Sequence, residues 1–302
     1  MTSRIDMLVT GSTGMLGQAW MRTATQRGIN AVGASRSSAD HPLDLRNEAD
    51  LARILDKCNP DLVVNCAAMT DLEAYEANPA GAHAINASAV RVLGEQCTVR
   101  GIRLVQISTD QYFTGDGDLK HDETATVQLV NQYARGKHAA EKFALMCPGS
   151  LVLRTNVVGF RGWSKTTFVE WVIESLASGG KMTLFEDFFT SSIDAGSFAS
   201  AALDLIGKRA SGLLNLASSE VSSKQRFIEE LAGAFGYSLA NATSGSVRSI
   251  GGARRAESCG LDVTRAEQLL GYRLPILSQV IEALRAEHGT LNHCIGQTTH
   301  AV

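Results

Sequence analysis

The sequence predicts an α/β fold in which a doubly wound parallel sheet is followed by a smaller C-terminal lobe. Three observations carry this. Short apolar runs alternate with helical patterns through the first half of the chain, as βα units wound around one sheet require. Those runs are nearly continuous in apolar residues, which fits parallel strands covered on both faces. Glycines at Gly11, Gly14 and Gly17 join the first run to the first helical pattern.

The elements follow in order. Residues 5–10, 30–34, 62–65 and 102–107 read as strands, 151–154 continues the set, and a further strand lies near 213–216. From about Phe160 the pattern loosens into helical stretches at 167–178, 195–206, 223–235 and 266–270, with a strand-like run at 182–185. Gly179-Gly180 and residues 244–252 read as loops, the second leading into the basic Arg248, Arg254 and Arg255. The expected division is a dinucleotide-binding domain over 1–160, to which some later strands and helices return, and a mainly substrate-binding lobe over 161–288. The polar tail 289–302 is expected to fray.

Composition narrows the classes. Hydrophobic residues make up 44% of the 302, yet no apolar run approaches the ~18 residues of a membrane span. The first residues lack the charged-then-apolar order of a targeting signal, so the cytoplasm is the expected compartment. Six cysteines lie scattered without Cys-x-x-Cys spacing, which argues for reduced thiols and against a metal site. With net charge −3 and no long basic run, neither nucleic acid nor an anionic membrane is an expected partner.

The glycine turn occupies residues 10–17, and its strand-to-helix setting distinguishes it from a chance triplet. Glycine lets the backbone turn sharply and approach a pyrophosphate, which then rests on the N–H groups at the positive end of the helix. Gly11, Thr13, Gly14, Met15, Leu16 and Gly17 are therefore candidate cofactor-binding residues of a Rossmann-type sheet. A tight turn with no ligand is the competing explanation. The second strand ends in Arg36, with no carboxylate expected near it to bind a ribose 2′-hydroxyl. An arginine there pairs with a 2′-phosphate, which favours NADPH and leaves NADH as the other candidate.

Tyr133 and Lys137 are four residues apart in a helical pattern and share one face. A phenol is a weak acid, with a reference pKa of about 10, and an ammonium beside it is expected to move that value toward neutrality. Tyr133 then donates a proton to a carbonyl oxygen as hydride reaches the carbon, and Lys137 also holds the cofactor ribose. Ser108-Thr109-Asp110 follows the strand at 102–107 and so lies at the carboxyl edge of the sheet, where ligands of such folds bind. A hydroxyl there can hydrogen-bond the oxygen that Tyr133 protonates. A helix cap for the second motif and an incidental exposed pair for the first are the bland alternatives.

Taken together, these residues resemble the extended short-chain dehydrogenase/reductases, and within them the dTDP-4-dehydrorhamnose reductase branch. The matching segments are residues 10–17, Asp44-Leu45, 65–68, 85–87, 108–113, 131–142, 153–155 and Leu261-Asp262. The resemblance implies that Asp44 and Leu45 border the adenine, that Ala67, Ala68 and Met69 line the cofactor, and that Thr109, Tyr133 and Lys137 form the catalytic triad. It implies NADPH-dependent reduction of a 4-keto-6-deoxyhexose carried on a nucleotide diphosphate. A homodimer is one assembly the chain could form. The chain also departs from that pattern. It reads Arg154-Thr155-Asn156-Val157 where the branch has Arg-Thr-Ser-Trp, and residues 186–192 replace the usual Asp-Gln-x-Gly-x-Pro-Thr. Ser108, Asp110, Asn156 and Val157 are the expected substrate contacts, joined by Phe188-Phe189 if that loop reaches the site. Gln111 stands where a related dehydratase has its glutamate base, which disfavours elimination. A nucleotide-sugar epimerase and a non-catalytic NADP-binding regulatory subunit are the alternative functions.

Overall fold

The computed structural model describes residues 5–163 and 165–298. Its centre is a seven-stranded sheet with the spatial order Gly212–Asn215, Leu151–Arg154, Arg103–Ile107, Leu62–Asn65, Met7–Thr10, Ala31–Ser35, His41–Pro42. Every neighbouring pair runs parallel. From Met7–Thr10 the chain winds outward through Ala31–Ser35 and then crosses to Leu62–Asn65 on the other side. That reversal opens a crevice at the carboxyl ends of these two strands, the place where open α/β sheets hold ligands.

The strands alternate as the side-chain period of two demands. Met7, Val9, Leu62, Val64, Val105, Leu151 and Leu153 face one core, packed under the helices Met15–Gln26 and Ala195–Gly207 through Trp20, Phe198 and Ala202. Leu8, Val63, Leu104 and Val152 face the other, covered by Glu48–Cys58, Ala89–Arg100 and Gln132–Leu145 through Leu51, Leu55, Leu93 and Ala140. With both faces covered, nearly continuous apolar strands are what burial selects.

A third core lies beyond the sheet. Val169, Val172 and Leu176 of Phe168–Ala177, Phe227 and Leu231 of Lys224–Phe235, and Val280 and Leu284 of Leu277–Thr298 pack with Met182 and Leu184. The stretch read as a loop from 244 begins in the strand Ala242–Gly245, which pairs parallel with Met182–Phe185. Its sequence, Ala-Thr-Ser-Gly, has no apolar alternation, so only the distant partner makes it a strand. Of the tail expected to fray, residues 289–298 continue the helix Leu277–Thr298, and residues 299–302 lie outside the described residues. His288 anchors that helix, its ring 5.4 Å from Phe160 and 5.2 Å from Phe235. No described helix is long and apolar enough to cross a membrane.

One polar contact crosses the sheet-facing core. Glu141, two turns into Gln132–Leu145, receives Arg154 Nε and Nη2 at 2.9 Å each, with both side chains buried (3% and 4% exposed). Ser108 Oγ donates to the same carboxylate at 2.6 Å, His138 Nδ1 stands 3.5 Å away, and the Arg154 guanidinium lies 4.9 Å from the centre of the Tyr112 ring. Burial alone would raise the Glu141 pKa, but the donors His138, Arg154 and Ser108 and the Arg154 charge hold it at about 2. A carboxylate held below its unfolded value of about 4.3 stabilises the fold above that pH and loses the contribution as pH falls through the folded value. The stability gap between wild type and Glu141→Gln, measured by denaturant unfolding, should therefore shrink from pH about 4.5 down to about 2. A gap that stays constant over that range would contradict the assignment.

Candidate active site

The first wall of the crevice is the glycine turn. Gly11 has φ +68, and a Cβ there would sit 2.7 Å from the backbone nitrogen of Ala67, so only glycine lets the turn lie against the neighbouring strand's exit. A Cβ on Gly17 would overlap the Gly11 carbonyl. Gly14 caps the helix Met15–Gln26 without a side-chain acceptor, and the first turn carries no acidic residue. The positive helix end is thus left for an outside anion. Residues of this kind fit the pyrophosphate of a dinucleotide.

The strand ends beside it are locked by a buried polar chain. Thr10 Oγ1 donates to Asn65 Oδ1 (2.6 Å), Asn65 Nδ2 to Gln106 Oε1 (2.7 Å), and Gln106 Nε2 to the Ile107 carbonyl (2.7 Å). Asn65 Oδ1 also receives the Ala67 N–H at 3.2 Å. Farther out, Asn86 clamps Met69 from both sides, accepting its N–H at 2.7 Å and donating to its carbonyl at 2.8 Å. Asn86 belongs to the π-helical turn Ala84–Ser88, a widening that turns its amide toward the loop. The run 67–69 is thereby held as a fixed wall.

Tyr133 and Lys137 project from Gln132–Leu145, whose start is pinned by Asn131. Its Oδ1 accepts the Ala134 N–H (2.7 Å) and its Nδ2 donates to the Arg254 carbonyl (2.8 Å). Tyr133 is buried, its ring edge-on to Tyr75 with centroids 6.0 Å apart. Burial pushes its hydroxyl up to about 12, while a hydrogen bond with Thr109 pulls the other way. Burial also lowers Lys137 to about 8, against the raising influence of Glu141 and Cys66, and its Nζ donates to the Ile107 carbonyl at 2.7 Å. The expected pull of Lys137 on the Tyr133 phenol is absent: desolvation disfavours charge on both groups, and Asp110 and Tyr75 raise the phenol further. At neutral pH the phenol keeps its proton.

Across the cavity stands Asp110, 1% exposed. Burial raises it to about 6, opposed by donors Gln111 Nε2 (3.0 Å) and Asn156 Nδ2 (2.8 Å) and by the charge of Lys224. Ser108 lines the same wall, but its Oγ donates to Glu141, so it fixes the loop that presents Thr109 and Asp110. Asn156 and Val157 lie in the short strand Asn156–Val158, paired with Ser192–Asp194.

One cavity of about 610 Å³ gathers Gly14, Met15, Leu16, Gly17, Ala67, Ala68, Ser108, Thr109, Asp110, Tyr133, Lys137, Asn156 and Val157. Gly11, Arg36, Asp44, Leu45 and Met69 are outside its wall, and Thr13 borders a second hollow with Ser12, Gly33 and Asp40. Leu45 is buried, and Asp44 is drawn down to about 2 by hydrogen bonding to Arg46. Arg36 is exposed past the strand Ala31–Ser35. The absence of a nearby carboxylate expected from the sequence does not hold: Asp40 Oδ2 accepts the Gly33 N–H at 2.7 Å. Asp40 returns there through a turn in which Ser38 has φ 55, so its distance along the chain hid its position. Phe188 is also absent from the main wall, its ring lying 5.8 Å from Lys224 Nζ. Sequence reasoning missed Asp40, Lys224 and Thr155, whose Oγ1 is buried in the cavity region without a hydrogen-bond partner among the described residues. A lysine opening an amphipathic helix directly after the capping Ser223 was the one available signal for Lys224.

Comparisons with known proteins show the family. The family described as RmlD substrate binding domain matches residues 5–288. A probable low-salt glycan biosynthesis reductase, Agl14, of Haloferax volcanii is 32% identical over 290 residues, covering 92% of this chain and 96% of that protein. A dTDP-4-dehydrorhamnose reductase of Mycobacterium tuberculosis is 31% identical over 276 residues, 89% of this chain and 80% of its own length. The structure of a dTDP-4-dehydrorhamnose reductase from Bacillus anthracis in complex with NADP superposes with a TM-score of 0.84 over 95% of this chain and 99% of its own, at 21% identity, a likeness of fold. The chain therefore belongs to the RmlD substrate-binding-domain family, that of the dTDP-4-dehydrorhamnose reductases.

Proposed function

We propose that the protein reduces a 4-keto-6-deoxyhexose on a nucleotide diphosphate, using NADPH, with Tyr133 as proton donor. The observation that carries this reading is the convergence of Thr109, Tyr133 and Lys137 on one cavity with the glycine turn. NADPH supplies hydride when bound. The turn at residues 11–17 would hold its pyrophosphate, and Lys137 and the wall at Ala67 and Ala68 its nicotinamide ribose. Tyr133, kept protonated by burial, has the form an acid needs: it gives its proton from Oη to the carbonyl oxygen as that oxygen gains charge. The Thr109 hydroxyl is the second donor to that oxygen, stabilising the developing charge. Asp110 and Asn156 would meet ring hydroxyls of the sugar. Val157 offers an aliphatic face in place of a flat ring, which shifts preference among keto sugars by about 1–3 kcal/mol rather than abolishing any.

Arg36 supports NADPH as the preferred cofactor, since an exposed guanidinium at the end of the second strand suits a 2′-phosphate. The Asp40 carboxylate beside Gly33 gives NADH a foothold through a free 2′-hydroxyl.

The assay is NADPH oxidation with dTDP-4-keto-6-deoxysugars, followed by loss of NADPH absorbance against product formed. One NADPH consumed per sugar reduced supports the reading, and sugar interconversion without net cofactor loss replaces it with epimerisation. Tyr133→Phe should bind cofactor normally while turnover falls by ~10²–10⁴-fold, the scale of a positioned general acid. Near wild-type turnover in that variant would remove Tyr133 from the mechanism. Arg36→Ala should raise the KM for NADPH by about tenfold, the scale of one charge-assisted contact, and leave NADH almost unchanged. Equal losses for both cofactors would show that Arg36 does not read the phosphate.

A further inference from the structure

Lys224 begins the helix Lys224–Phe235, far along the chain from the helix of Tyr133 and Lys137, and brings a cation of the second lobe to Asp110. Its Nζ stands over the Phe168 ring at 4.6 Å, with Phe227 at 5.6 Å and Phe188 at 5.8 Å. Ring faces attract a cation but take no directed proton from it as an oxygen does. The directed bond goes to Ser192 Oγ, at 3.3 Å. Ser192 Oγ in turn donates to Asn156 Oδ1 (2.8 Å), and Asn156 Nδ2 donates to Asp110 Oδ2 (2.8 Å).

The chain has a direction, and the cation favours it, with Thr190 Oγ1 at 3.0 Å as the other hydroxyl on Ser192 Oγ. An ammonium has three donors and no acceptor, so Ser192 Oγ accepts from it and is left to donate onward. That donation turns the Asn156 amide oxygen toward Ser192 and its NH₂ toward Asp110. Asp110 then sits at the accepting end, met by N–H donors on both oxygens, Asn156 at one and Gln111 at the other. A neutral carboxylic acid would have to place its own proton against one of them.

We propose that Lys224 is a positioning residue whose cation orients the Ser192–Asn156 relay and so keeps Asp110 an ionised acceptor for a hydroxyl of the substrate. The inference rests on the reading of the cavity as a keto-sugar site and adds to it a residue that does not line the cavity. The groups facing Asp110 are Thr109 and Gln111 from its own loop, Asn156 from the short strand, Tyr133 from the catalytic helix, Cys259 from the strand Ser258–Leu261, and Lys224. Tyr133 and Cys259 are both raised by burial and stay neutral through the range in which Asp110 titrates, so Lys224 is the cation that acts on it. The two groups support one another: burial lowers Lys224 to about 8, and the Asp110 charge opposes that fall.

The test is the pH profile of kcat/KM for the keto sugar, with calorimetric binding of dTDP-rhamnose over the same pH range as a readout free of turnover. Wild type should show an acid limb near the Asp110 value of about 6 in both. Lys224→Met keeps the apolar stem in its aromatic surroundings and removes the charge. Its acid limb should rise by about one unit, the scale of one lost opposite charge, with the sugar KM at neutral pH up and the NADPH KM unchanged. Lys224→Arg should restore the limb. An acid limb in Lys224→Met that coincides with wild type overturns the proposal. If Lys224→Met fails to fold, Ser192→Ala cuts the relay and leaves the cation: a raised limb supports the proposal and an unmoved one overturns it. Wild-type protein that neither oxidises NADPH with any keto sugar nor binds dTDP-rhamnose overturns the functional reading itself, and with it the role of Lys224.

Discussion

The buried pairing of Glu141 with Arg154 is the contact on which the site depends. It joins three pieces that the chain makes separately. Glu141 lies one helical turn past Lys137, Arg154 ends a central strand immediately before Thr155 and Asn156, and Ser108 opens the loop that carries Thr109 and Asp110. Breaking a charge pair this deep from one side costs about 3–5 kcal/mol. Ser108 Oγ donates to the carboxylate and the Tyr112 ring faces the guanidinium, while Arg154 Nη1 has no hydrogen-bond partner among the described residues. Tyr133, the Thr109 hydroxyl and the strand that carries Asn156 are thus referred to one rigid point. The polar chain from Thr10 through Asn65 to Gln106 does the same beside the glycine turn, and both tie the carboxyl ends of strands to one another.

Burial is the dominant electrostatic influence in the cavity. It raises Tyr133 and Asp110 and lowers Lys137 and Lys224, so every group is moved toward its neutral form. Asp110 and the two amines are thereby brought nearer the working range from opposite sides, while Tyr133 is held more firmly protonated. Such an environment suits a proton donor to a carbonyl whose oxygen becomes charged only during reaction, because the donor is neutral beforehand. Lys137 donates to the Ile107 carbonyl, a bond that fixes its amine at the carboxyl edge of the sheet.

Much of this was legible in the sequence, for physical reasons. Strands covered on both faces leave short apolar runs, and the glycine turn needs residues that no side chain can replace, so the sheet and its crevice could be read directly. Tyr133 and Lys137 were readable because four residues on a helix mean one face. Contacts between distant segments were not. Asp40 reaches Gly33 only through a turn, and Ala242–Gly245 is a strand only because Met182–Phe185 lies beside it. Lys224 looks like any exposed lysine at a helix start until the fold sets it among Phe168, Phe188 and Phe227. The sign of the Tyr133 shift was misread because spacing places an ammonium on the same face but says nothing of desolvation.

The central claim, that Glu141 and Arg154 act as one unit to hold the catalytic face, is tested most directly by a double-mutant cycle of Glu141→Gln and Arg154→Met. Unfolding free energy and the single-turnover rate of NADPH oxidation are measured on the same four proteins. Each single variant should lose about 3–5 kcal/mol of stability together with much of its rate, and the double variant scarcely more than either. Losses that add across the cycle, or a rate that survives the broken pair, would contradict it.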